Sequence, residues 1–151
     1  MMQNRRKIRI CAFLLALNLI FIWGNSLLPA ELSQSLSDWV AEILPDQAAE
    51  AVEPIEGDVN ILRKIAHFAE FTVLGFLLSW LMKLLQKKRN LALLFGTLAA
   101  CVDETIQIFV PGRGPGWKDV LIDAGGVAAG MILLCLGNAI VRKIQNTKYG
   151  G

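Results

Sequence analysis

The sequence predicts an all-α membrane protein: a bundle of four transmembrane helices with both termini in the cytoplasm and a short amphipathic helix on the outer surface. Three observations lead there. The 151 residues are 54% hydrophobic, with glycine left out of that count and a mean hydropathy of +0.49, more apolar than an ordinary soluble domain. The apolar residues gather in four runs, each long enough to cross ~30 Å of hydrocarbon as a helix of roughly 20 residues. The charged residues, only 19% of the chain, are sorted by sign along it.

The first run, residues 8–28, follows Arg5, Arg6, Lys7 and Arg9. A cleavable signal peptide is the rival reading. The apolar stretch outlasts a usual signal core and no clean A-x-A site follows, so it reads as a retained anchor. Residues 29–60 form the outer loop. Within it Leu32, Leu36, Trp39, Val40, Ile43 and Leu44 recur at helical spacing between Pro29 and Pro45, which predicts an amphipathic helix over 30–44. Residues 46–60 read as an acidic loop. The other three runs are 65–82, 91–110 and 120–141. The second carries His67 and Glu70, the third Asp103, Glu104 and Gln107, and the fourth Asp123. The whole chain, 1–151, is expected to be a single domain.

The sign pattern orients the bundle. Four basic residues precede the first run. Four more (Lys83, Lys87, Lys88, Arg89) lie between the second and third, and three (Arg142, Lys143, Lys148) follow the fourth. No acid accompanies these eleven of the fifteen Lys and Arg, whereas residues 29–60 hold eight acids and no base. Basic segments stay on the cytoplasmic side, and an alternating four-span path satisfies every segment.

The remaining charges break that pattern in one place. Arg63, Lys64, Arg113 and Lys118 flank the outer mouths, and Glu70, Asp103, Glu104, Asp119 and Asp123 lie in or beside the last three spans. At 1.5 Å per residue, Glu70 lies ~9 Å below Lys64, Asp103 ~12 Å below Pro111 and Asp123 ~9 Å below Trp117. Three helices thus carry carboxylates to one depth in the outer half. His67 lies one turn above Glu70. Asp103 and Gln107 share a face, as do Asp119 and Asp123. Charges inside a span are costly and mark function. A bland alternative is an ion-paired lock that fixes helix register. The preferred reading is an outward-facing pocket made by Lys64, His67, Glu70, Asp103, Glu104, Gln107, Arg113, Asp119 and Asp123. Among these, His67, Glu70, Asp103 and Glu104 are the candidates for acid–base catalysis.

Other features carry less. The Gly/Pro-rich connector at 111–116 reads first as a turn and second as a backbone nest that aims Arg113 at an anion such as phosphate. His67 at i,i+3 from Glu70, with Asp103 and Glu104, offers a divalent-metal set. A lone helical histidine is more often structural, so no metal ligand is assigned. No cofactor is named. Gly126 and Gly130, at GxxxG spacing, form a close-packing face, read as intramolecular rather than as a dimer seam. Cys11, Cys101 and Cys135 read as free, buried packing residues, and Trp23, Trp39, Trp80 and Trp117 as interfacial anchors.

These residues carry a resemblance. The run from Arg63-Lys64-Ile65-Ala66-His67 to Phe68-Ala69-Glu70-Phe71, with Leu74-Gly75 after it, resembles the first motif of VanZ-like proteins. Asp103-Glu104-Thr105-Ile106-Gln107, continuing to Pro111-Gly112-Arg113, resembles the second. Lys118-Asp119-Val120-Leu121-Ile122-Asp123, then Gly125-Gly126 and Gly130, resembles the third. Order and spacing match over roughly 10–140, and Ser33-Gln34-Ser35 is loosely similar as well. The chain departs from the pattern at Asp123, where such proteins usually have Asn; an acid there alters charge or affinity.

The resemblance implies a multi-pass protein of the cell membrane, of a family whose name-giving member is linked to low-level resistance to the glycopeptide teicoplanin. It implies no settled reaction. Three uses of the pocket stay open: binding an anionic, lipid-linked ligand such as a cell-wall precursor; acid–base or metal-assisted catalysis on a lipid phosphate; and an ion-paired bundle serving as an accessory interaction protein. The expected partners are the lipid bilayer and such a ligand, with no nucleic acid.

Overall fold

A computed structural model describes residues 2–29, 35, 39, 61–113 and 116–149. The amphipathic helix expected over 30–44 and the acidic stretch 46–60 fall outside the described residues, save for Ser35 and Trp39. So do Gly114 and Pro115 of the connector. The described residues form four α-helices and no strand: α1 (Met2–Ser26), α2 (Ile61–Leu84), α3 (Asn90–Ile108) and α4 (Trp117–Tyr149). All four are long and apolar enough to cross a membrane, so the all-helical four-span fold holds.

Each helix differs from its apolar run for a local reason. α1 begins six residues earlier than the run, because the basic residues at its start continue the helix at no backbone cost. It ends at Ser26, two residues short of the expected limit. α3 stops at Ile108 rather than residue 110, closing in a tight turn in which Phe109 and Val110 donate to the carbonyls of Ile106 and Gln107. α4 runs on to Tyr149. At 1.5 Å per residue its 33 residues reach ~50 Å, well past the ~30 Å hydrocarbon layer. Accordingly, residues 141–148 are all exposed.

α2 closes with Gln86 in the left-handed region at φ 56°. There the Lys87 N–H reaches the Met82 carbonyl at 2.8 Å and the Gln86 N–H reaches that of Lys83 at 3.2 Å. This is the paired-bond helix stop that glycine usually provides.

The outward surface is apolar, as lipid requires. Phe13, Ile20 and Phe21 on α1, Leu94 and Leu98 on α3, and Ile132, Leu136 and Ile140 on α4 are all exposed. The inward cluster is small: Cys11, Leu15 and Ile22 from α1, Phe71, Leu74 and Leu77 from α2, Ala100 from α3 and Val127 from α4. Burial of apolar surface does not drive helices together in lipid, so close packing of small residues does that work. The α2–α4 seam shows it. A Cβ on Gly75 would stand 2.2 Å from the Val127 carbonyl oxygen, and one on Gly130 would stand 2.0 Å from that of Thr72. Gly126 meets the Phe68 carbonyl in the same way. The glycine face therefore packs within the chain.

The cysteines are free, yet only Cys11 is buried, its thiol facing the Leu77 carbonyl. Cys101 lies on the exposed surface and Cys135 is half-buried, which corrects the expectation for those two: the helix turns them away from the small core. Trp117 is exposed at the head of α4, whereas Trp23 and Trp80 pack against the bundle's core.

The two ends of the bundle differ in chemistry. At one, Lys83 donates to Asn138 and Arg89 to Cys135, tying α2 and the start of α3 to α4. At the other lie the carboxylates.

Candidate functional site

The site is built from the end of α1, the first half of α2, the last half of α3 and the first two turns of α4. Asp103 is its centre and is fully buried. Its Oδ1 accepts from Ser26 Oγ at 2.7 Å, and its Oδ2 accepts from Gln107 Nε2, one turn on along α3, at 2.8 Å. The same Gln107 amide lies 3.4 Å from Ser26 Oγ. Asp103 is thereby fixed from two helices.

His67 faces Asp103 from α2, with Nδ1 3.6 Å from Asp103 Oδ2 and 3.9 Å from Asp123 Oδ1. Both distances exceed hydrogen-bond range. The His67 ring stacks on Phe71 with centroids 6.5 Å apart, which sets its plane. Asp123 is 2% exposed, and its Oδ1 has no hydrogen-bond donor among the described residues. One ligand atom from each of His67, Asp103 and Asp123 lies within 4.8 Å of the other two. His67 therefore faces carboxylates of the neighbouring helices. Of the carboxylates expected beside His67, Asp103 faces it, whereas Glu70 and Glu104 bond elsewhere and Asp123 takes up the remaining side.

Glu70 stands to one side, half-buried, with Oε1 accepting from Asn25 Nδ2 at 2.9 Å. Glu104 accepts the backbone N–H of Gly116 and so anchors the connector before α4. Gly116 also sits against Asp119, whose Oδ2 would be 2.7 Å from a Cβ there. Asp119, in the first turn of α4, suits the positive end of that helix.

Arg113 is buried, and its Nη2 donates to the Asn25 carbonyl at 3.4 Å. Its Nε and Nη1 meet no acceptor among the described residues. Burial, and then the like charge of Arg63, pull the guanidinium below the ordinary arginine pKa. Beside the cluster is a small pocket lined by Arg63, Lys64, His67, Gln107, Asp119 and Asp123, with Ile122. Its free volume is about 10 Å³, about enough for one water.

Every residue expected at the pocket thus falls at this end of the bundle, in two groups. Lys64, His67, Gln107, Asp119 and Asp123 line the cavity, with Asp103 behind His67. Glu70, Glu104 and Arg113 brace its surroundings through Asn25 and Gly116. Sequence reasoning missed Asn25 and Ser26. Their signal was present: two adjacent polar residues at the end of an otherwise apolar run, where a helix can afford them only by turning them inward.

A family model described as VanZ/LLP1 matches residues 11–138. The chain belongs to the VanZ/LLP1 family. The match takes in part of α1, all of α2 and α3, most of α4 and every residue of the site. The resemblance read from the three VanZ-like motifs was therefore correct, and those motifs are the segments that build this end of the bundle. No curated relative and no solved structure matches this VanZ/LLP1 chain.

Proposed function

We propose that this VanZ/LLP1 protein sits in the cell membrane with its carboxylate end facing outward and both termini in the cytoplasm. There it holds an anionic, lipid-linked ligand such as a phosphate-bearing cell-wall precursor, and in doing so contributes to glycopeptide tolerance. The observation that carries this reading is Arg113. A buried guanidinium with two of its three nitrogens lacking acceptors among the described residues is held in a costly state, and two oxygens of a phosphate relieve it with paired hydrogen bonds. Arg63 and Lys64 at the adjacent cavity add positive charge at the mouth. The surrounding lipid brings such a ligand in laterally, its chain in the hydrocarbon and its phosphate at the height of the site.

The ion-paired lock is the weaker alternative, because Arg113 spends its bond on a backbone carbonyl rather than on Glu70, Asp103 or Glu104. Binding of a short polyprenyl phosphate to the purified chain in nanodiscs tests the proposal. Saturable binding should weaken by roughly tenfold or more in Arg113→Ala, the loss of one charge-assisted contact. Glycopeptide tolerance should fall with it at unchanged membrane abundance. Equal binding by both chains, or abundance that falls in step with tolerance, makes Arg113 an architectural residue.

A further inference from the structure

We propose that His67, Asp103 and Asp123 form a binding site for a single divalent transition-metal ion, Zn²⁺ or Mn²⁺. Three observations converge on it. Three ligand residues, one histidine and two aspartates, come from three different helices, each offering one atom within 4.8 Å of the others. All three residues are buried. The groups also point at one another without bonding: His67 Nδ1 stands 3.6 and 3.9 Å from the two carboxylate oxygens. Such a gap leaves the imidazole facing two carboxylate oxygens it does not reach, one of them without any donor among the described residues, unless something lies between them. Metal–ligand bonds of 2.0–2.1 Å in tetrahedral array set ligand–ligand edges of about 3.4 Å, reached from these distances by small side-chain rotations.

The independent sign of a missing partner is Asp123 Oδ1. It is an oxygen of a 2%-exposed carboxyl, with no donor among the described residues, aimed into the cluster. Charge points the same way. Two aspartates buried in the low-dielectric half of a bundle are costly, and a divalent cation with a neutral imidazole cancels them. The donor set of one nitrogen and two carboxylate oxygens favours Zn²⁺ or Mn²⁺ over the all-oxygen preference of Mg²⁺ and Ca²⁺.

The surroundings are those of an oriented site. Ser26 Oγ and Gln107 Nε2 hold the two Asp103 oxygens, and Phe71 holds the His67 ring. Such outer partners fix ligand direction. Three protein ligands leave a coordination position open. His67 and Asp123 both line the small cavity with Arg63 and Lys64, so the open position has a place for a water or an anion's oxygen. The inference goes beyond the anion reading and fails separately from it.

The test is elemental analysis of the full chain purified in mild detergent, stripped with chelator, reloaded with Zn²⁺ or Mn²⁺ and freed of excess. The wild-type chain and Asp58→Asn, a carboxylate of the acidic outer segment, should each retain one equivalent. His67→Gln and Asp123→Asn should lose more than roughly tenfold in affinity, as should Ser26→Ala through the freed Asp103. Reloading should raise the melting temperature of the wild type and leave that of Asp123→Asn unmoved. Asp123→Asn keeps the shape of a side chain whose Oδ1 has no donor among the described residues, so it keeps the test valid should His67→Gln misfold. The proposal is overturned when folded wild type retains neither ion, or when Asp123→Asn retains as much as wild type. Metal retained without polyprenyl-phosphate binding sinks only the anion reading, and the reverse result sinks only this one.

Discussion

Adding one methyl group at Gly130 should loosen the bundle more than any change on its outer surface. A Cβ there would stand 2.0 Å from the Thr72 carbonyl oxygen, 2.5 Å from the Phe76 nitrogen and 3.0 Å from the Gly75 carbonyl carbon. All three are backbone atoms, so no rotamer can relieve the clash, and α2 and α4 must separate by more than ~1 Å to restore ordinary contact. Overpacking of this kind costs about 1–3 kcal/mol, occasionally more, to which the lost small-residue contact along the seam adds. Gly137 is the control. It lies on the same helix with nothing within 4 Å of its Cβ position, so Gly137→Ala gains up to ~1 kcal/mol of helix propensity at no steric cost. Thermal unfolding of the two variants in one detergent should separate them by several degrees, Gly130→Ala below wild type and Gly137→Ala at or above it. The separation also pulls His67 from Asp123 across the same seam. Equal melting temperatures would show that α2 and α4 do not pack on their glycines, and the site geometry argued from that seam would go with it.

Ser26→Ala removes the donor to Oδ1 of the fully buried Asp103 and should cost about 1–3 kcal/mol in unfolding measurements; no loss would mean that Oδ1 does not depend on Ser26. Cysteines placed at positions 47 and 86 in a Cys-free background should react oppositely with a membrane-impermeant reagent, only the first labelling in intact cells. The opposite result inverts the orientation. Cysteines at 67 and 107, which line one cavity, should join with a short crosslinker, and failure there alongside success at the basic end would mean the helices splay. Gln86→Gly relieves the left-handed residue after α2 and should stabilise by about 1 kcal/mol; a neutral or harmful effect would show that the stop does not depend on that backbone conformation.

Four spans were legible because lipid imposes a single rule, a sufficiently long apolar helix, and the chain obeys it four times. Helix ends were less legible, since hydropathy marks where lipid starts and not where hydrogen bonding stops. α4 shows the difference: the apolar run ends near residue 141 and the helix at Tyr149. The carboxylate end was legible for the same reason as the spans. Depth counted in residues along three helices of alternating direction put Glu70, Asp103 and Asp123 level, and two of the three meet around His67.

What depth could not supply was azimuth. Residues level with one another can face different neighbours, and the sequence holds no record of how far each helix is rotated. Glu70 shares a helix with His67, yet it turns to Asn25. Asp123, on another chain segment entirely, turns to His67. The rotation is set by the glycine seam: with Gly75 against Val127 and Gly126 against Phe68, the α2 face bearing His67 and Phe71 is pressed toward α4, and Asp123, three residues before Gly126, arrives beside the imidazole. The small residues that fix the packing therefore also choose which carboxylates the histidine meets. In this chain, glycines and charged residues accordingly share one segment. The spacing from Asp123 to Gly126 and Gly130 is a single geometric instruction, which brings the helices into contact and aims the acid in the same step.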